Sequence, residues 1–114
     1  MQVWGDGSPT REFLYVEDAA DAIVTAAEKY NGDLPVNLGS GYEISIKNLA
    51  EMIVKMTGFD GALTWQTDKP NGQPRRGLDV SRAKKFFGWS AQVPFKEGMR
   101  RTIEWFRENQ NKIR

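Results

Sequence analysis

Two adjacent arginines behind a proline are the residues of this sequence best suited to hold a ligand. They close the stretch Lys69-Pro70-Asn71-Gly72-Gln73-Pro74-Arg75-Arg76. Pro70 presets φ for a turn, and Asn71-Gly72 tolerates the positive φ that some tight turns demand. The planar forks of Arg75 and Arg76 suit bidentate binding of phosphate. One reading is a fixed loop that holds an anion against the body of the domain. The other is a surface turn with two solvated arginines, and the stretch alone reads more simply that way.

Other chemistry is excluded by residue type. The chain has no histidine and no cysteine, so it offers no imidazole base, no thiolate nucleophile and no Cys/His zinc site. It also carries no Asp-x-Asp-x-Asp-Gly loop for calcium. Sixteen basic residues against fifteen acidic ones leave a charge of +1. That balance argues against a nucleic-acid binder built on Arg75, Arg76, Arg82, Lys84 and Lys85 beside Trp89. At 114 residues, 39% hydrophobic and 27% charged, the chain is expected to form one globular domain over 1–114. No apolar run reaches membrane-spanning length, and the first residues lack the form of a signal peptide. With no disulfide framework, a cytoplasmic protein without a membrane partner is expected.

The elements that must position the loop follow from the apolar periodicity. Two short strands around Asp6-Gly7 are expected between Val3 and Tyr15. A helix from Glu17 to Lys29 follows, with Val16, Ala19, Ala20, Ile23, Val24 and Ala27 on its apolar face and Asn31-Gly32 at its end. Val36-Asn37-Leu38 reads as a strand, and Ser45 as the cap of a helix that Gly58 stops. Strand, Gly39-Ser40-Gly41 and helix together invite a dinucleotide-fold reading. It fails, because the third glycine would fall at Ile44 and no acidic residue ends a following strand at the proper distance. Gly39 and Gly41 are therefore read as turn glycines. Ala62 to Gln66 looks like a strand, and Ser81 like the cap of a short helix closed by Gly88. From Phe95 to Asn109 an amphipathic helix places Phe95, Met99, Thr102, Ile103 and Phe106 inward and Arg100, Arg101 and Arg107 outward. Gly98 within it marks the close approach of another backbone. The predicted order is β-β-α-β-α-β-α-α, a mixed α/β (α+β) arrangement with too few strands for a self-sufficient sheet.

Several of these residues carry a resemblance. The segment from Val3-Trp4-Gly5-Asp6-Gly7 through Arg11-Glu12-Phe13-Leu14 to Val16-Glu17-Asp18 resembles the V-W-G-x-G-x-x-x-R-E-F-L-x-V-x-D pattern of the extended short-chain dehydrogenase/reductases, the NAD-dependent epimerase/dehydratase family. Asn37-Leu38-Gly39-Ser40-Gly41 is similar to its N-x-G-[ST]-G. Lys69 to Arg76 resembles the K-P-D-G-T-P-R-K loop of the GDP-L-fucose synthase branch. Leu78-Asp79-Val80-Ser81, Phe87-Gly88-Trp89 and Glu97-Gly98 follow in that branch's order. The match runs over nearly the whole chain but only over the family's C-terminal, substrate-binding portion, without the Rossmann half.

The resemblance implies a fold and a substrate class. The branch uses NADPH to epimerise and reduce GDP-4-keto-6-deoxymannose. Its glycine-rich cofactor loop, its Ser plus Tyr-x-x-x-Lys set and its Cys/His pair have no counterparts here. The residues four beyond Tyr15, Tyr30 and Tyr42 are Ala19, Leu34 and Ile46. The chain alone is accordingly expected to have no catalytic residue, no cofactor of its own, no metal and no enzymatic activity. The branch's substrate contacts fall on Trp4, Arg11 and Asn71, with Arg75 and Arg76 close by. Asn71 replaces an aspartate and Arg76 a lysine. Trp4 reads equally as a strand aromatic packed on Phe13. The expected ligand is a GDP-sugar, bound weakly, and the expected assembly a homo-oligomer. The alternative is a structural or interaction module that keeps the fold without the ligand.

Overall fold

Gln2–Trp4 (β1) runs parallel to Thr64–Gln66 (β4), with Val3 opposite Trp65. Thr10–Glu12 (β2) lies between Glu43–Ser45 (β3) and Arg75–Arg76 (β5) in a second sheet. The helices are Val16–Lys29 (α1), Ile46–Thr57 (α2), Ser81–Phe87 (α3) and Phe95–Asn109 (α4). This computed structural model describes residues 1–112. Its contacts gather into two units, one of residues 1–11 and 43–76 and one of 12–42 and 77–114.

In the first unit, the Asp6-Gly7 turn forms as expected. The Asp6 carboxylate accepts from the Ser8 N–H at 2.8 Å, and Gly7 takes φ 77°. The strands flanking it do not pair with each other, however; they enter different sheets. Turn chemistry permits the reversal but does not choose the partner, and each strand gains a parallel neighbour brought from far along the chain. Gly7 has a second constraint, because a Cβ there would stand 2.7 Å from the Trp65 ring and 2.8 Å from Lys47. The Ser45 hydroxyl caps α2 by accepting from the Asn48 N–H at 3.1 Å, and Gly58 ends it in the left-handed region. Ile44 just before the cap is buried, and this segment rather than Val36-Asn37-Leu38 forms the third strand.

The second unit is built on close helix packing. Ala22 of α1 and Ala83 of α3 are wholly buried, with Phe87 and Trp89 around them. Val36 and Leu38 pack against this cluster without joining a strand. Their alternation reflects burial against helices, not a ladder. Asp18 is buried and accepts from the backbone N–H groups of Gln92 and Val93 at 3.1 and 2.9 Å. Asp21 accepts from the Trp89 indole at 2.9 Å. The buried stripe of α1 is thus Asp18 and Ala22, backed by Ala26, while Val16, Ile23 and Val24 of its apolar face stand exposed. The helix ends at Tyr30, in an extended conformation, before Asn31-Gly32. Ser81 opens α3, but the acceptor at that end is the Asp79 carboxylate, 2.9 Å from the Ser81 N–H. In α4, Phe95, Met99 and Ile103 are half-buried, whereas Thr102 and Phe106 are more exposed. Gly98 is buried against the Tyr15 side chain, not a backbone, with 3.1 Å to a Cβ built there.

Candidate functional site

The sequence-predicted site residues all fall in the first unit. The sheet β3-β2-β5 separates the two loop arginines. Thr10 is the register partner of Arg75, and Arg11 that of Arg76. Side chains alternate along a strand, so Thr10 and Arg75 share one face while Arg11 and Arg76 share the other. What looks in sequence like a double arginine is two single arginines facing opposite ways.

On the first face, Glu43 of β3 reaches across to Arg75. Arg75 Nε donates to both Glu43 oxygens at 3.0 and 2.9 Å, and Thr10 Oγ1 donates to Glu43 Oε2 at 2.9 Å. The Arg75 guanidinium and then the Thr10 hydroxyl hold the Glu43 carboxyl below its ordinary range, and the same contact raises Arg75. Both partners stay charged and their charges cancel. Sequence reasoning passed over Glu43, because no local pattern links residues 32 positions apart.

The second face is unbalanced. Arg11 is half-buried and donates to its neighbouring Thr10 carbonyl at 2.7 Å. Arg76 is exposed. Neither has a carboxylate partner among the described residues. Like charges directly across a strand pair repel. An anion received between them would remove that repulsion.

Asn71 and Trp4 lie at the end of the other sheet. Asn71 Oδ1 accepts from the Asp6 N–H at 2.8 Å, and the amide packs so closely on Gly5 that a Cβ there would stand 2.0 Å from that oxygen. Gly5 also takes φ 78°. The Asn71 oxygen thereby serves the protein, which leaves the NH2 group as the side chain's donor. The Asp6 carboxyl is held below its usual range, first by the Ser8 hydrogen bonds. Trp4 stays 66% exposed at the end of β1. In the proline loop the hydrogen-bonded turn is Gln66 to Lys69, closed at 3.0 Å, with positive φ in the loop confined to Gly72.

The glycine turn of the second unit has a different use. Glu12 accepts from the Gly41 N–H at 3.0 Å and from the Leu78 N–H at 2.8 Å. A Cβ on Gly39 would lie 2.1 Å from the Glu12 oxygen. Gly41 takes φ 70° and is a turn glycine, whereas Gly39 makes room for a carboxylate. A phosphate meeting this turn would face that negative charge in place of free N–H groups.

The arrangement is therefore a mixed α/β partial domain with one uncompensated cationic face, and comparison with known proteins agrees with that class. Residues 1–39 match the NAD dependent epimerase/dehydratase family. A probable GDP-L-fucose synthase of Oryza sativa subsp. japonica is 48% identical over 107 residues, which is 94% of this chain and 32% of that protein. The GDP-L-fucose synthetase of Naegleria fowleri, crystallised with NADP, superposes with a TM-score of 0.88 at 28% identity, over 96% of this chain and 35% of that one. The UDP-glucose 4-epimerase of Thermotoga maritima, crystallised with UDP-glucose, superposes with a TM-score of 0.85 at 29% identity, over 96% and 35%. Nearly the whole chain is thus similar to part of the GDP-L-fucose synthases, and its first 39 residues match the NAD dependent epimerase/dehydratase family. It spans about a third of the length of these relatives.

Proposed function

We propose that this chain is the C-terminal, substrate-binding portion of a GDP-L-fucose synthase-like epimerase/reductase, and that it receives the diphosphate of a nucleotide sugar between Arg11 and Arg76. The observation that carries the reading is their register pairing without a carboxylate partner among the described residues. Arg75 takes no direct part, because Glu43 already neutralises it. Trp4 supplies an exposed ring for the ligand's flat or apolar parts, and the Asn71 amide a donor for ribose or base.

The chain does no chemistry alone in this reading. The nicotinamide cofactor does not fit the glycine turn at 39–41, whose Gly41 N–H already serves Glu12. Cofactor, proton donor and epimerising groups belong to residues outside this sequence. The exposed Val16, Ile23 and Val24 favour burial against another chain, and we assign that role to a second copy. In this reading the protein works in the cytoplasm.

A titration with guanosine diphosphate and guanosine monophosphate, followed by calorimetry, tests the site. The diphosphate should bind in the millimolar range, about −4 kcal/mol, and more tightly than the monophosphate. Arg11→Ala and Arg76→Ala should each weaken it by about tenfold or more, since a charge-assisted hydrogen bond contributes about 1.5–3 kcal/mol. No response to the diphosphate at saturation would leave the interaction-module reading in its place.

A further inference from the structure

β5 consists of Arg75 and Arg76 alone, yet the position of Arg76 beside Arg11 depends on it. Two residues supply few ladder bonds. Pro74 before them has no N–H to donate, although its carbonyl accepts from the Thr10 N–H at 3.0 Å. So short a strand needs a side-chain anchor to keep its register. The strongest tie on it is the Glu43 carboxylate, which grips Arg75 through Nε and is itself steadied by Thr10 on the central strand.

We infer that Glu43 is a positioning residue for the anion site: by clamping Arg75 on one face of the sheet, it holds β5 in register and so presents Arg76 beside Arg11 on the other. This rests on the proposed anion role of Arg11 and Arg76. Bidentate geometry suits the task, because a fork held at two oxygens fixes orientation as well as distance. Adjacent side chains on a strand point oppositely, so a rotation of β5 that freed Arg75 would carry Arg76 out of place as well. The depressed carboxyl of Glu43 fits a clamp closed at neutral pH.

The inference makes a prediction that charge alone would reverse. Glu43→Gln removes a negative charge near a cationic site, so on Coulomb grounds it should strengthen anion binding. A lost clamp should weaken it. The wild-type chain, Glu43→Gln and the exchanged pair Glu43→Arg/Arg75→Glu are titrated with inorganic pyrophosphate, and amide exchange at Thr10 is followed by NMR in each. Glu43→Gln should bind pyrophosphate roughly three- to tenfold more weakly and lose protection at the Thr10 N–H, and the exchanged pair should regain both. Equal or tighter binding by Glu43→Gln, or unchanged Thr10 protection, overturns the inference. Absence of pyrophosphate binding by the wild-type chain overturns the proposed function, and the Thr10 exchange then decides the clamp by itself.

Discussion

Arg11 and Arg76 are register partners on parallel strands, two cations side by side with no carboxylate partner among the described residues. In the proposed reading such a pair repels in the free protein until something negative joins it. Arg76→Gln should therefore raise the melting temperature of the unliganded chain while abolishing the stabilisation that guanosine diphosphate confers on the wild type. Thermal melts with and without the nucleotide measure both effects. A variant that melts lower in its absence would show that Arg76 has a structural partner.

Asp18 serves two backbone donors inside the second unit. Removing it leaves both N–H groups unpaired in a partly buried place, at about 1 kcal/mol or more each. Urea unfolding of Asp18→Ala should show a loss of at least about 2 kcal/mol. Asp18→Asn, which keeps one acceptor oxygen, should lose less.

Gly39 and Glu12 should behave as one unit. Gly39→Ala drives a methyl group into the Glu12 carboxylate and displaces it from Gly41 and Leu78. A loss of about 1–3 kcal/mol is expected. Glu12→Ala removes the obstacle, so the double variant should be less destabilised than the sum of the two singles. Additive losses in denaturant melts would mean that the two residues act separately.

Acid sensitivity should centre on α4. Glu97 receives hydrogen bonds from Arg100 and Arg101, which lower its pKa from the ordinary 4.5 to about 2. A depressed carboxyl contributes stability that is present above the unfolded value and lost as pH falls through the folded one. Stability should accordingly decline between about pH 4.5 and about pH 2, with Glu43 adding to the decline in the same direction. Glu97→Gln should flatten that part of the profile, a difference that circular dichroism against pH would register.

The outer face of α1 carries Val16, Ile23 and Val24, each more than half exposed. Self-association through it should appear in sedimentation as a concentration-dependent dimer. Ile23→Glu should shift the chain to monomer without loss of helicity. A wild-type monomer at all concentrations would speak against assembly through this face.

Much of the local structure was determined by sequence alone. Ser45 and Gly58 bracket α2, Gly88 ends α3, and Phe95 to Asn109 is helical, because caps and 3.6-residue periodicity act within a few positions of the residues that encode them. Arg11, Asn71, Arg75 and Arg76 could be named from residue type and from a family pattern. Only the tertiary structure decided what each of them faces. The Asp6-Gly7 turn could have closed a hairpin, but parallel partners drawn from residues 64–66 and 75–76 took its strands apart. The consecutive arginines were divided by the pleat, one meeting Glu43 from 32 positions away and the other aligned with Arg11. The buried stripe of α1 likewise fell on Asp18 and Ala22, one bonded to the backbone at 92–93 and the other clustered with Ala83 of α3. Strand pairing and helix contact are settled by which distant segments bury one another. That information is spread over the whole chain and has no local signature.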